Sequence, residues 1–455
     1  MGPHDNTTNR VPDGGANKRS PRDPQPGERD VSVFRIQGPA RLSGSFRPAG
    51  NKNAALPILA GCLLTDEPVV LRNVPEINDV RTLIEIMTGL GADVEWEAPN
   101  TLRVQASGID DPSISRDLAR DIRASILLAG PLLARLGEVE LPPPGGDVIG
   151  RRRVDSHLLA LGQLGAEVEA GASYFLRAKE LVGTDIFMDE PSVTATENAI
   201  LAAVTASGRT TLRNAAAEPH VQDLCRFLVG LGGSIEGIGT NHLTIDGVES
   251  LHGGEFEIGP DHIEIGSLVG LAAITHSDIT IEAGAGNFDP LRIGFEKLGI
   301  YCDMRDEMIH VPPEQPLEIQ SDIGDQIPQL YDGPWPAFPA DLVSIALVVA
   351  TQCRGTILIH EKMFESRMFF VDKLISMGAR VVLCDPHRAV VVGPSRLHGS
   401  KLESPDIRAG MAMVIAALAA TGESVIGNVR QVERGYQRIE ERLRALGADI
   451  ERADA

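Results

Sequence analysis

Basic residues are scarce in this sequence: 42 Lys and Arg stand against 63 Asp and Glu in 455 residues, a net charge of −21. Such an acidic excess argues against a nucleic-acid binder, which needs a basic face for phosphates. It argues equally against a polybasic membrane-surface protein. Anionic small molecules stay open as ligands, because a local pocket of Arg and Lys overrules the global field. Cysteine is sparse too. The five, Cys62, Cys225, Cys302, Cys353 and Cys384, are odd in number and form no C-x-x-C pair. They read as free thiols in a reducing compartment, with Cys353 and Cys384 expected in the core. The longest apolar stretches, such as Met411 to Ala420, stop short of the roughly 18 residues a membrane span needs. Residues 1–30 contain only Met1, Val11 and Ala16 from the apolar set, with five prolines and four glycines. That composition predicts a disordered tail with no signal peptide, and hence a soluble cytoplasmic protein. Histidines and cysteines are scattered, so no metal or organic cofactor is expected.

What the chain does have is repetition. A Leu-Gly-Ala-like turn recurs at Gly91, Gly165, Gly232, Gly299, Gly378 and Gly447, with gaps of 74, 67, 67, 79 and 69 residues. Each glycine follows an amphipathic stretch and precedes a short alternating run, as a helix C-cap glycine does. Upstream in every unit lies a nearly all-apolar helix: NKNAALPILAGCLL, DIRASILLAGPLLA, PSVTATENAILAAV, DHIEIGSLVGLAAI, ADLVSIALVVAT and DIRAGMAMVIAALAA. A β-rich stretch follows each. A helix apolar on all sides belongs inside a domain. The expected architecture is therefore an α/β protein of two similar lobes, three repeats each, joined near Gly259.

Polar residues gather at the starts of these helices: Lys52 and Asn53, Arg123, Ser192 with Val193 and Thr194, His262, Asp341, and Asp406 with Arg408. A helix N-terminus offers unpaired N–H donors and partial positive charge, so it suits anions. Any one of these residues is equally readable as a cap or a surface ion pair. Six such starts on two opposed faces would make a cationic cleft. The segment PPPGGDVIGRRRVD, residues 142–155, adds a glycine pair, Asp147 and arginines at 151–153. It reads as a mobile lid or as a solvated basic turn.

These residues together, with FPAD, FESR and ERGYQRIEERLRALGADIE, resemble the UDP-N-acetylglucosamine enolpyruvyl transferases from Val31 to Arg452. NKNAALP favours them over the shikimate-phosphate enolpyruvyl transferases. The resemblance implies two inside-out, barrel-like α/β lobes of three βαβαββ repeats each, with the active site in the interdomain cleft. One lobe would be 52–259, carrying lid 142–155; the other would be 31–51 plus 260–455. It implies transfer of the enolpyruvyl group of phosphoenolpyruvate to the sugar 3-hydroxyl, with release of phosphate, by addition and elimination. Lys52, Arg152, Arg408 and Arg434 would hold phosphoenolpyruvate. Asn53, Arg123, Arg153, Val154, Asp155, Ser192, Val193, Asp341, Phe364 and Asp406 would contribute to the substrate site, with Arg367 a conformationally important cleft arginine. Small molecules would be the only partners, with no nucleic acid or membrane, and the chain a monomer or weak oligomer.

In the implied mechanism Asp341 takes the hydroxyl proton and a lid acid protonates the methylene carbon. Many relatives carry a lid cysteine; here the matching residue is Asp147. To act as the acid it must be protonated with substrate bound, and closure must offset the neighbouring arginines. The substitution implies insensitivity to fosfomycin, which alkylates the thiolate. Other departures are Glu190 for Lys, Thr194 for Gly and His262 for Arg. They leave room for a different acceptor such as UMP, or for a silent UDP-sugar-binding regulatory paralogue.

Overall fold

A computed structural model of the chain describes residues 32–147, 149–150 and 152–454. The expected disordered tail 1–30 and the first lid arginine, Arg151, lie outside the described residues.

Six sheets make up the β-structure. Five share one pattern, in which a parallel pair is extended by two antiparallel strands. One example is Gly254–Glu257, Val69–Arg72, Thr101–Gln105 and Asp93–Ala98. The sixth holds three strands, Glu138–Leu141, Tyr174–Arg177 and Glu167–Ala170. Its fourth strand is reduced to a single parallel bridge, Ser113 to Glu140. The six repeat glycines all have positive φ, from 72° to 107°. In this region a side chain is strained, so the helix-to-strand turn selects glycine at each.

Two hydrophobic cores result, one drawn from residues 54–258 and one from 34–46 and 263–450. Each is organised around three inner helices. In the first lobe these are Lys52–Gly61, Ala129–Leu136 and Val193–Ala203. In the second they are His262–Ile274, Val343–Ala350 and Ile407–Ala419. The strand Ser32–Gly38 pairs with Gly422–Gly427 and Asp449–Asp454, and Ser43–Phe46 pairs with Asp278–Glu282, so the first two strands complete the second lobe. The chain crosses between lobes twice, in antiparallel segments joined by Asn51 N–H to Gly259 O (2.8 Å) and Asp261 N–H to Ala49 O (2.9 Å).

Two expectations need correction. The second inner helix is not continuous: Arg123–Leu128 is a 3₁₀ segment and the α-helix begins at Ala129. Pro131 lacks an N–H, and its ring crowds the carbonyl four residues back, so the first turn of a new helix takes it without losing a hydrogen bond. Cys384 is exposed rather than buried, whereas Cys353 is in the core. Cys384 lies on the outer strand Val381–Asp385, where alternate side chains face solvent. Among the described residues, no helix is long and apolar enough to cross a membrane.

Candidate active site

Two ion-pair clusters form at the starts of inner helices. The first is centred on Asp341, in the 3₁₀ turn Ala340–Leu342. Its Oδ1 accepts from Arg367 Nη1 at 2.9 Å. Its Oδ2 accepts from Arg408 Nε at 2.9 Å and lies 2.8 Å from Arg408 Nη2. Burial pushes the Asp341 carboxyl up, but the Arg408 and Arg367 guanidiniums outweigh it and hold the group well below the ordinary carboxylate range. Arg408 starts the helix Ile407–Ala419 and lies over the Tyr436 ring, 5.4 Å from its centroid. Its Nη1 is buried with no acceptor among the described residues, a donor left for an anion.

The second cluster joins the lobes. Asp79, in the first turn of Asn78–Gly89, takes Lys52 Nζ on Oδ2 at 2.7 Å and Arg434 Nε on Oδ1 at 2.8 Å. Arg434 Nη1 donates to the lid carboxylate Asp147 at 2.5 Å. Arg152 stands between the clusters. Burial lowers its guanidinium, Asp147 and Asp341 counter that, and Arg367 and Arg434 add to it.

Local sequence explains how the lid reaches across. Gly145 and Gly146 pack against the Arg120–Arg123 backbone; a Cβ on Gly145 would stand 1.6 Å from Arg120 O. The far end is tied down where Ser366 N–H donates to Ile149 O at 3.2 Å, beside Gly150. The lid thus spans from the first lobe onto the FESR turn of the second.

A third group lies on the first-lobe side. Arg123 Nη2 donates to Arg153 O at 2.7 Å, while its Nε is buried without a partner among the described residues. Burial first, then Arg152, lowers the Arg123 guanidinium to about 10. His157 is pushed down to about 3 by burial and by Arg123 and Arg152. This neutral imidazole accepts at Nδ1 from Asn198 (2.8 Å), so its Nε2–H faces Thr194 Oγ1 at 3.1 Å. Glu190 is held by Ser156 Oγ at 3.1 Å, and His262 by Asn51 Nδ2 at 2.9 Å. Glu190, Thr194 and His262 therefore each have a local partner.

The structure thus brings together Lys52, Asp147, Arg152, Asp341, Arg367, Arg408 and Arg434, with Phe364 stacked under Arg367 at 4.6 Å. Asp406 serves as the N-cap of the last inner helix, accepting from the Arg408 and Ala409 N–H groups at 2.9 Å. Arg153 and Asp155 pair with each other at the surface. Asn53, Val154, Ser192 and Val193 stand half-buried at or near helix starts. Sequence reasoning missed Asp79, Asn51 and Tyr436. An acidic residue in a first helical turn, such as Asp79, reads as an ordinary surface group, and nothing local marks its partners 27 and 355 residues away.

Comparison with known proteins agrees with the fold. The sequence profile of EPSP synthase (3-phosphoshikimate 1-carboxyvinyltransferase) matches residues 36–443. A UDP-N-acetylglucosamine 1-carboxyvinyltransferase of Bradyrhizobium diazoefficiens is 61% identical, over 92% of this chain and 97% of its own. One from Treponema denticola is 55% identical, over 91% and 98%. Among solved structures, the enolpyruvyl transferase NikO of Streptomyces tendae superposes with a TM-score of 0.82 at 27% identity, covering 93% of this chain and 99% of that one.

Proposed function

The chain belongs to the EPSP synthase family, in its UDP-N-acetylglucosamine 1-carboxyvinyltransferase branch, and from that premise we propose that it transfers the enolpyruvyl group of phosphoenolpyruvate to the 3-hydroxyl of UDP-N-acetylglucosamine. The observation that carries the reading is the convergence, from both lobes, of cations and three carboxylates, Asp79, Asp147 and Asp341, on one cleft.

Lys52, Arg152, Arg408 and Arg434 bind the phosphate and carboxylate of phosphoenolpyruvate, with guanidinium forks matching both groups. Arg123 and the Arg153–Leu158 segment, with Asn53, Ser192, Val193 and Phe364, bind the nucleotide sugar. Asp341 takes the hydroxyl proton as the sugar oxygen attacks the central carbon, and Asp147 delivers a proton to the methylene carbon. In the second step the bond from carbon to phosphate oxygen breaks and phosphate leaves with the electron pair. A proton then departs from the new methyl group and restores the double bond. The lid cations stabilise charge on the leaving group.

Residues 52–259 act as one lobe and 31–51 plus 260–455 as the other. The protein works in the cytoplasm, as a monomer or weak oligomer on small molecules, at the first committed step of peptidoglycan precursor synthesis. The decisive measurement is phosphate release from phosphoenolpyruvate with UDP-N-acetylglucosamine and UMP offered separately. Release with the UDP-sugar alone is expected. Release only with UMP would overturn the acceptor, and release with neither would point to a silent binding protein.

A further inference from the structure

Behind Arg367 lies a carboxyl that the reaction as written does not use. Glu361 directly follows the strand Gly355–His360 and is wholly buried. Its backbone is fixed on both sides by His387, whose carbonyl accepts the Glu361 N–H and whose Nδ1 donates to the Glu361 carbonyl, each at 2.8 Å. Its side-chain Oε1 accepts the Phe364 N–H at 3.2 Å. Its Oε2 lies 3.8 Å from Arg367 Nε, and neither of those two atoms has a hydrogen-bond partner among the described residues.

A second buried carboxylate, Asp332, adjoins it. The two Asp332 oxygens take the Lys362 N–H at 2.5 Å and the Met363 N–H at 3.3 Å. Two carboxyls thus hold three successive N–H groups of the turn that carries Phe364 and Arg367. Arg367 is enclosed on four sides: Asp341 at 2.9 Å, Ala340 O at 3.2 Å, the Phe364 ring at 4.6 Å and Glu361 at 3.8 Å.

We infer that Glu361 is a positioning residue for the transfer, fixing Arg367 so that its guanidinium is directed at Asp341. The inference rests on reading Asp341 as the proton acceptor. Two adjacent buried carboxyls do not both ionise readily. The Asp332 oxygens receive two N–H donors, whereas the Glu361 carboxyl receives one. Burial pushes Glu361 up to about 9, with Arg367 opposing and Asp332 adding. The charged and titratable groups around it are Asp332, Arg367, Lys362 and His387, with Asp341 beyond Arg367. A neutral Glu361 gives shape and an acceptor without competing for the guanidinium, so Asp341 is the nearest counter-charge of Arg367, with Asp406 farther off.

The test uses the full-length Glu361→Gln and Glu361→Ala variants, with kcat and KM measured across pH and thermal midpoints measured in parallel. Gln, the neutral isostere, should keep kcat within about threefold and leave the acid limb in place. Ala should loosen Arg367, let Asp341 titrate closer to its ordinary range, and move the acid limb of kcat upward by about half a pH unit or more. A purely structural role would lower kcat without moving that limb, and that result overturns the inference. So does a Gln variant that behaves like Ala. The midpoints give a readout independent of activity. Folding the wild type protonates a group ionised in the unfolded chain, so its stability falls as pH rises between about 4.5 and 9. Glu361→Gln should lose that slope; a parallel slope would refute the neutral acid. If the wild type lacked transferase activity, the proposed function would fail while the midpoints still decided the state of Glu361.

Discussion

Replacing Asp341 by Asn tests the centre of the site while keeping its shape. The aspartate receives charge-assisted contacts from two buried guanidiniums, at 2.9 Å from Arg367 and at 2.9 and 2.8 Å from Arg408. Asn keeps one oxygen, so one guanidinium retains an acceptor while the other meets an NH₂ group. Arg367 still has Ala340 O; Arg408 has less to fall back on. A hydrogen bond to a charged group is worth about 1.5–3 kcal/mol, so a loss of about 2–4 kcal/mol is expected. That should lower the melting midpoint by several degrees without preventing folding. The chemical loss should be larger, since a positioned general base contributes about 10²–10⁴ in rate, or roughly 3–5 kcal/mol of barrier. Single-turnover phosphate release gives the rate, and calorimetry with UDP-N-acetylglucosamine gives the binding. The expected outcome is kcat down by about 10² or more, with nucleotide affinity changed by less than about tenfold. A variant within tenfold of the wild-type kcat would refute Asp341 as the base. Stability against pH gives a second check. The folded carboxyl lies below its unfolded value, so its contribution is complete above about pH 4 and is lost as pH falls toward the folded value. Asn at this position should therefore flatten part of the acid unfolding profile.

The other predictions are narrower. Asp147→Ala should abolish turnover while sparing nucleotide binding, because the lid carboxylate touches Arg434 and not the nucleotide side of the cleft; full-rate turnover would remove it as the acid. Fosfomycin should produce no rapid, time-dependent covalent inactivation, since the lid presents a carboxylate in place of a thiolate; progressive inactivation with a mass increase would contradict this. Gly165→Ala, at φ +107°, should cost about 1 kcal/mol or more by thermal or urea unfolding, with kcat unchanged.

Elements governed by neighbours in sequence were readable in advance. The six glycine turns are an example, because a left-handed residue after a helix is a local requirement, met at Gly91 as at Gly447. The inner helices were readable from their unbroken apolar composition. The break after Leu128 was not, because whether Pro131 interrupts a helix or opens one depends on which backbone groups the surrounding fold satisfies. In the cleft, Lys52, Arg408 and Arg434 were identified by resemblance. The carboxylate joining Lys52 to Arg434 was not, because Asp79 meets Lys52 through the packing of the first lobe and Arg434 only where the lobes meet. Glu361 was hidden for a related reason. In EKMFESR it reads as one more acid in an acidic chain, and only burial beside Asp332 and Arg367 distinguishes it.

The acidic excess and the anionic substrates are reconciled by how the cleft stores its charge. Its cations are not bare: Lys52 and Arg434 rest on Asp79, Arg434 also on Asp147, and Arg367 and Arg408 on Asp341. A substrate anion entering here exchanges one counter-ion for another, so each guanidinium is already desolvated and oriented before binding. The exchange also resolves a difficulty with Asp341. Held far down by two arginines, it is a poor base in the resting arrangement. If Arg408 holds the substrate anion as proposed, drawing its guanidinium toward that anion would weaken the hold and raise the basicity of Asp341. On the proposed roles, Asp341 becomes competent as the base only when the anion is in place, and Arg408 would couple substrate occupancy to that proton transfer.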